Sequence, residues 1–331
     1  MDFLARLKIA WPVEAWRDVS VVVAVSGGAD SVSLACAMSE LREQAAPGKL
    51  IVAHFNHRLR AAGEDDARFV QELARQLGLP CEIGVTDQPL EQSGGDGVEA
   101  AARTARYAFL LKTAEKSGAR YVATAHTADD QAETVLHRVI RGTGLAGLAG
   151  IPRVRLLSPA VTLIRPLLDF SRADVVEYLA ARQQTFRLDE SNEDPSFTRN
   201  RIRHALLPQL AAQYNSNVRE ALLRLGQLAG DAQQVIEQRA EELMQQAVRN
   251  SPNGIAIDAS LLRDQPLHLV REMLILVWKE QRWPLQQMGL GEWQSLAAAL
   301  VSEAPNQTFD LPGQIRAQKS RDALTLTKIT Q

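Results

Sequence analysis

Val21-Val22-Val23-Ala24-Val25-Ser26-Gly27-Gly28-Ala29-Asp30-Ser31 is the stretch whose reading decides the fold. Five apolar, mostly β-branched residues predict a strand buried on both faces. The two glycines that follow carry no Cβ, so backbone N–H groups can approach an anion closely, and the helix that starts there aims its positive end at the same point. Ser26 and Ser31 add hydroxyl donors. The loop holds no lysine, and it matches neither the nucleoside-triphosphate loop ending in Gly-Lys-Ser/Thr nor the dinucleotide Gly-x-Gly-x-x-Gly pattern. Asp30 at the helix start would repel phosphate unless a divalent cation bridges the two, which implies Mg²⁺ at this carboxylate. Ser, Gly and Asp also make ordinary turns and helix caps. The full string directly after an apolar strand favours a phosphate site formed by Ser26, Gly27, Gly28, Ala29, Asp30 and Ser31.

Outward from this stretch, β-branched runs alternate with segments of helical period. The expected strands are 21–25, 51–55, 81–85, 121–125 and 161–164, with helices beginning near Asp30, Gly63, Val98 and Thr127. Phe69, Val70, Leu73 and Leu77 form the buried stripe of the second of these helices. The alternation predicts an α/β fold with a doubly wound, mostly parallel five-stranded sheet. A further helix follows Ser171, with Asp174 completing a capping box. Beyond Pro208 the pattern becomes helical over 217–250, then over 266–281 and 289–301, and ends in short strands around Pro312-Gly313. The boundary is expected near Tyr214, giving an adenylation domain over 1–214 and a smaller, mainly helical domain over 215–331.

Composition narrows the function. With 46% hydrophobic and 23% charged residues the chain reads as globular. No apolar run reaches the length of a membrane helix, and the N-terminus lacks the layout of a signal peptide, so a cytoplasmic location without membrane attachment is expected. A net charge of −2 excludes a global polyanion footprint, and any nucleic-acid site must be a local patch. Cys36 and Cys81 offer neither a metal knuckle nor a disulfide framework.

Two further clusters carry chemistry. His126, Asp129, Asp130, Glu133 and His137 share one face of the helix after the fourth strand, opposite Val135, Leu136, Val139 and Ile140. Asp129 and Glu133 lie four residues apart and repel each other, so the face wants a cation, either Mg²⁺ or a substrate ammonium. A solvated first turn serving the helix dipole is the plain alternative. At the end of the second strand, Asn56 and His57 fall at the ligand edge, His54 alternates inward, and Arg58 and Arg60 are equally readable as phosphate contacts or as a solvated loop. The polar loop 187–195 leads into a basic run with Arg199, Arg201 and Arg203.

The loop resembles that of the PP-loop ATP pyrophosphatases, which cleave ATP between the α and β phosphorus atoms and pass AMP to a carbonyl oxygen. More narrowly, VAVSGGADS, HFNHRLR, EAAARTARYAFL, ATAHTADDQAETVLHRVIRGTGLAGLAGI, RPLLDFSRADVVEYL and DESNEDPSFTRNRIRHALLPQL, in this order over residues 21 to about 212, resemble the tRNA(Ile)-lysidine synthetase family. The resemblance implies ATP and Mg²⁺ as cofactors, tRNA(Ile) with a CAU anticodon and free L-lysine as partners, and ligation of lysine to C2 of the wobble cytidine through an adenylated intermediate. It implies that Asp30 holds Mg²⁺, that Asp130 and Glu133 hold or deprotonate lysine, and that Arg103 or Arg106 binds the lysine carboxylate. Asp30, Asp130, Glu133 and Arg201 are then the catalytic set, with Asn56, His57, His126, Arg199 and Arg203 contacting nucleotide or tRNA. The oligomeric state stays open, with a homodimer among the options. Another carbon–nitrogen ligase or tRNA-modifying adenylating enzyme of the same superfamily is the alternative, and a nucleotide sensor is a third. Sulfur transfer is disfavoured, because it needs thiolates that an unpaired Cys36 and Cys81 do not supply.

Overall fold

The computed structural model describes residues 1–42, 47–58, 63–86, 96–188, 194, 196–251, 254–304 and 306–329. The chain divides into two compact units, Met1–Leu228 and Ala229–Gln331.

The first unit contains, in order, α1 (Phe3–Ala10), β1 (Ser20–Ala24), α2 (Ala29–Leu41), β2 (Leu50–Asn56), α3 (Gly63–Gln76), β3 (Cys81–Val85), α4 (Asp96–Lys116), β4 (Ala119–Ala123) and α5 (Ala128–Arg141). The short α6 (Leu145–Leu148), β5 (Val154–Leu156), β6 (Thr162–Ile164), α7 (Arg172–Ala181), α8 (Thr198–Arg201), a π-turn (Ile202–Leu206) and α9 (Leu207–Gln213) complete it. The strands form one sheet in the order β3-β2-β1-β4-β6-β5. All five expected strands are present and parallel, with β4 beginning two residues earlier than the periodicity predicts, at Ala119. A sixth, β5, pairs antiparallel with β6 at the edge, and its Val154-Arg155-Leu156 are all exposed, which leaves no buried apolar run to announce it.

The chain leaves β1 toward β2 and β3, then returns to the other side of β1 as β4. The strand order therefore reverses between β1 and β4, and ligands in such sheets bind outside the carboxyl ends at this switch point. Val21, Val22 and Val23 have no exposed surface, as the β-branched run requires of a central strand. Helix α2 is buried nearly all round from Ala29 to Met38, and it packs against both α1 and α7. Each large aliphatic side chain so covered contributes about 1.5–3 kcal/mol. Ser171 caps α7 in a complete capping box with Asp174.

Helix α10 (Val218–Ala247) begins in the first unit and ends in the second, so the division at Leu228 falls within a helix where the sequence suggests a boundary near Tyr214. The second unit continues with β7 (Val248–Ser251), β8 (Gly254–Asp258), α11 (Leu267–Glu280), α12 (Leu290–Val301), β9 (Gln307–Leu311), β10 (Ile315–Lys319) and β11 (Ala323–Lys328). The hairpin at Pro312-Gly313 extends into a five-stranded antiparallel sheet in the order β7-β8-β11-β10-β9, so this unit is α+β and not simply helical. Trp278 has no exposed surface and meets Trp283 and Trp293 edge-on at 4.9 and 5.1 Å. These rings fill the core of this unit.

Candidate active site

The N-cap of helix α2 is Gly28, which has no side chain to occupy the free N–H groups of the first turn. Gly27 adopts φ +97°, which side-chain-bearing residues rarely take, and this turns the chain sharply out of β1. Ser31 Oγ donates to the Gly28 carbonyl at 2.9 Å and accepts from the Ser26 N–H at 3.1 Å, which ties the loop across its mouth. The Arg187 N–H donates to the Gly27 carbonyl at 2.9 Å and holds the loop from outside. Asp30 follows on the first turn. Burial drives its carboxyl up from 3.8 to about 6; Arg172 and Arg203 oppose this, while Asp130 and Asp129 add to it. Arg172 Nη1 donates to Asp30 Oδ2 at 2.9 Å, whereas Asp30 Oδ1 is buried with no hydrogen-bond partner.

The acidic face sits on α5, which begins where β4 ends. Thr127 and Asp130 form a capping box, with the Thr127 N–H donating to Asp130 Oδ2 at 2.8 Å. Glu133 is 2% exposed. Two guanidinium groups meet these carboxylates. Arg199 donates through Nη2 to Asp130 Oδ1 at 2.6 Å and through Nε to Glu133 Oε2 at 3.0 Å. Arg203 donates through Nε to Glu133 Oε1 at 2.6 Å and through Nη2 to Glu133 Oε2 and Asp130 Oδ1 at 3.0 and 3.2 Å. Burial pushes the Asp130 carboxyl upward, but Arg199 and the surrounding donors prevail and hold it below the usual range. Asp129 points elsewhere, to Arg219 Nη1 at 2.8 Å and to the Arg172 N–H at 2.8 Å.

Arg199 and Arg203 are four residues apart and leave the same side of the chain, whereas Arg201 turns away to the Ser196 carbonyl and Thr198 Oγ1, both at 2.9 Å. The structure therefore brings Arg199 and Arg203, not Arg201, to the acid pair. The helix-period spacing 199/203 carried that signal. Arg199 lies on α8 and Arg203 within the π-turn that follows, which ends at Leu206 before Pro208, whose missing N–H and bulky ring disturb the regular helix.

His126 Nδ1 lies 3.1 Å from Thr124 Oγ1. Enclosure lowers its pKa to about 3, Arg165, Arg103 and Arg199 act in the same direction, and Asp130 opposes, so the ring is neutral. Asn56 is buried, and its Oδ1 accepts from the Arg58 N–H at 2.8 Å, which directs it to its own loop. His57 stacks edge-on against Phe55 at 4.8 Å. His54 is buried with Nδ1 2.8 Å from the Val25 carbonyl, joining β2 to the end of β1. Arg103 and Arg106 both lie on α4 against the Tyr107 ring, at 5.3 and 5.8 Å from its centroid. Arg60 and residues 189–193 and 195 of the polar loop lie outside the described residues.

Sequence reasoning missed Arg172 and Arg165. Arg172 opens α7 and spans two carboxylates, its backbone on Asp129 and its side chain on Asp30. Its position directly after the capping Ser171 was the available signal. Arg165, at the carboxyl end of β6, is 1% exposed and donates to the Pro152 carbonyl. No pattern in a short apolar strand marks such a residue.

Residues 5–210 match the family described as the PP-loop domain. A tRNA(Ile)-lysidine synthase of Rhodopirellula baltica is 32% identical over 92% of this chain and 86% of its own length. The chain belongs to the tRNA(Ile)-lysidine synthase family. The tRNA(Ile)-lysidine synthase of Geobacter sulfurreducens is 37% identical over 93% of this chain, which spans 65% of that relative's length. Among solved structures, the U34-tRNA thiolase of Methanococcus maripaludis superposes with a TM-score of 0.57 over 69% of this chain and 77% of its own, at 16% identity. That likeness supports the fold. The Ser26–Ser31 loop thus lies in a PP-loop ATP-binding domain.

Proposed function

We propose that the chain ligates free lysine to C2 of the wobble cytidine in a tRNA with a CAU anticodon, consuming ATP and releasing pyrophosphate and AMP. In the first step the cytidine O2 attacks the α-phosphorus of ATP, and the bond to the β-phosphate breaks. In the second the lysine ε-amine attacks C2, and the C2–O2 bond breaks with AMP as leaving group. The observation that carries this reading is the Asp130–Glu133 carboxylate pair, held on α5 directly beside the phosphate loop at the β1/β4 switch point. Such a pair recognises a cation, and lysine brings one.

The loop amides and the hydroxyls of Ser26 and Ser31 bind the β- and γ-phosphates. Arg172 and Arg203, whose charges reach Asp30, supply positive potential beside them. Asp130 and Glu133 bind the lysine ammonium or accept its proton, since the ε-amine must be neutral to attack. Neutral His126 offers a hydrogen-bonding ring without adding charge. The field of Arg103 at His126 supports Arg103 over Arg106 as the partner of the lysine carboxylate.

Asp30 fits a divalent cation, because its Oδ1 is buried without a partner and its carboxyl is pushed toward neutrality. Among the described residues no three His, Cys, Asp or Glu side chains converge into a metal cage. That suits Mg²⁺ bound by one carboxylate together with substrate phosphates. When bound, Mg²⁺ would neutralise the pyrophosphate charge.

The test is AMP and pyrophosphate release from ATP with lysine and a tRNA(Ile) transcript each omitted in turn. Release that requires both supports the reading. Equal release without tRNA overturns it in favour of a small-molecule carbon–nitrogen ligase.

A further inference from the structure

The carboxyl half of α5 and the glycine-rich segment after it take no part in the chemistry above. Arg138 Nη1 donates to the carbonyls of Gly147 and Gly150 at 2.6 and 2.7 Å. Gln131 holds the same segment through its amide, with Nε2 on the Ala149 carbonyl at 3.0 Å and Oε1 accepting from the Ile151 N–H at 2.6 Å. Gly150 takes φ +73° at this close approach to Gln131, so the segment is stapled along α5. Between helix and segment lies a cleft of about 270 Å³ lined by His137, Arg138, Arg141, Gly142, Thr143 and Gly147.

Arg6, Arg172, Arg182, Arg199, Arg203 and Arg219 all form ion pairs with carboxylates. Among the described residues Arg138, Arg141, Arg155 and Arg165 form none. Arg155 lies over the Tyr107 ring at 4.9 Å, beside Arg103 on the same ring. Burial lowers the pKa of both Arg138 and Arg165, and the charge of Arg103 adds to this at each. Exposed aliphatic residues neighbour these arginines in sequence: Val139 and Ile140 on α5, and Val154 and Leu156 on β5, at 45, 56, 48 and 69% exposure. Of the apolar face of α5 read from the sequence, Val135 and Leu136 are buried, whereas Val139 and Ile140 stay at the surface.

We infer that this surface, centred on the cleft at the carboxyl end of α5, docks the RNA strand that flanks the modified nucleotide. Arg141 and Arg155 take its phosphates, and the aliphatic side chains lie against its sugars and bases. Unpaired arginines match the backbone charge of RNA, and the apolar patches match unstacked loop nucleotides. The position along the helix agrees, since Arg141 stands eight residues beyond Glu133, roughly 12 Å along the axis at 1.5 Å per residue. A cytidine whose C2 faces a lysine held at the acid pair therefore has its neighbours, a few nucleotides away, over the cleft. The inference rests on the reading that the substrate is a tRNA.

The test is binding of an anticodon stem-loop transcript by the full chain across a salt series, which needs no chemistry, with tRNA-dependent AMP release measured alongside. Arg141→Ala/Arg155→Ala is expected to raise Kd about tenfold and to reduce the slope of log K against log salt by about 1.5, as loss of two phosphate contacts requires. Arg141→Lys/Arg155→Lys restores most of the binding, while Arg68→Ala/Arg75→Ala on α3 leaves it unchanged. RNA binding that is equal in wild type and the Arg141/Arg155 alanine variant, or equally weakened by the α3 control, overturns the docking surface and leaves the proposed reaction standing. Binding that depends on Arg141 and Arg155 in a protein with no tRNA-dependent AMP release supports the surface and overturns the reaction. A wild type that binds no RNA overturns both.

Discussion

Arg203 grips Glu133 with both sides of its guanidinium, Nε on Oε1 at 2.6 Å and Nη2 on Oε2 at 3.0 Å, and Glu133 is almost wholly buried. Arg199 completes the same ion cluster from four residues earlier. The lysine ammonium of the proposed reaction must therefore join or displace these guanidinium groups.

Removing one side of such a buried cluster leaves uncompensated charge. Glu133→Ala is expected to destabilise the first unit by about 3 kcal/mol, read as a lower urea midpoint, and to abolish AMP release. An unchanged midpoint would mean that solvent already satisfies the arginines.

Asp30 gives a prediction with a definite sign. Its carboxyl ionises near 3.8 in the unfolded chain and near 6 in the folded one. Below pH 3.8 both states hold the proton and folding bears no penalty; between 3.8 and 6 the unfolded state ionises first; above 6 the penalty is complete, at most about 3 kcal/mol. Asp30→Asn should thus unfold at a higher temperature than wild type at pH 7.5, match it below pH 4, and release no AMP. Full activity in this variant would refute the assigned role of Asp30.

His126 behaves in the opposite sense. Its pKa is lowered, so the stability that its neutral ring contributes is present above pH 6.5 and is lost as pH falls toward about 3. In a two-dimensional NMR titration the His126 ring should show no protonation step between pH 8 and pH 5. A step near 6.5 would place the ring in open solvent. His126→Gln should flatten the acid limb of the stability profile.

Burial pushes both cysteine thiols up to about 11. The protein should react slowly with a thiol reagent at pH 8, and Cys36→Ala/Cys81→Ala should retain lysine- and tRNA-dependent AMP release. Loss of activity in that variant, with the fold intact, would reopen sulfur chemistry.

What the residues declare in order along the chain are local matters. Gly27, the Ser171–Asp174 capping box and the valines of β1 each obey rules acting within a few residues, so the phosphate loop, the alternation of strand and helix, and the parallel sheet were all legible. The acidic face was legible too, because helix period alone aligns Asp130 with Glu133. Strand β5 was not, since an exposed edge of three residues has no apolar signature. The exposure of Val139 and Ile140 was not either, because a stripe on a helix does not say what covers it.

Tertiary structure decided which charges meet. Arg172 reaches Asp30 across 142 residues of sequence, and Arg203 reaches Glu133 across 70. Such pairings depend on strand order and helix placement, which bring distant segments to one sheet edge, and local periodicity cannot encode a partner that lies on another element. The sequence by itself determined that a phosphate loop and a carboxylate face exist on one α/β sheet. Only the folded chain determined that they adjoin at the β1/β4 switch point, that Arg199 and Arg203 rather than Arg201 complete the acid pair, and that Arg138 and Arg141, further along α5, meet no carboxylate among the described residues.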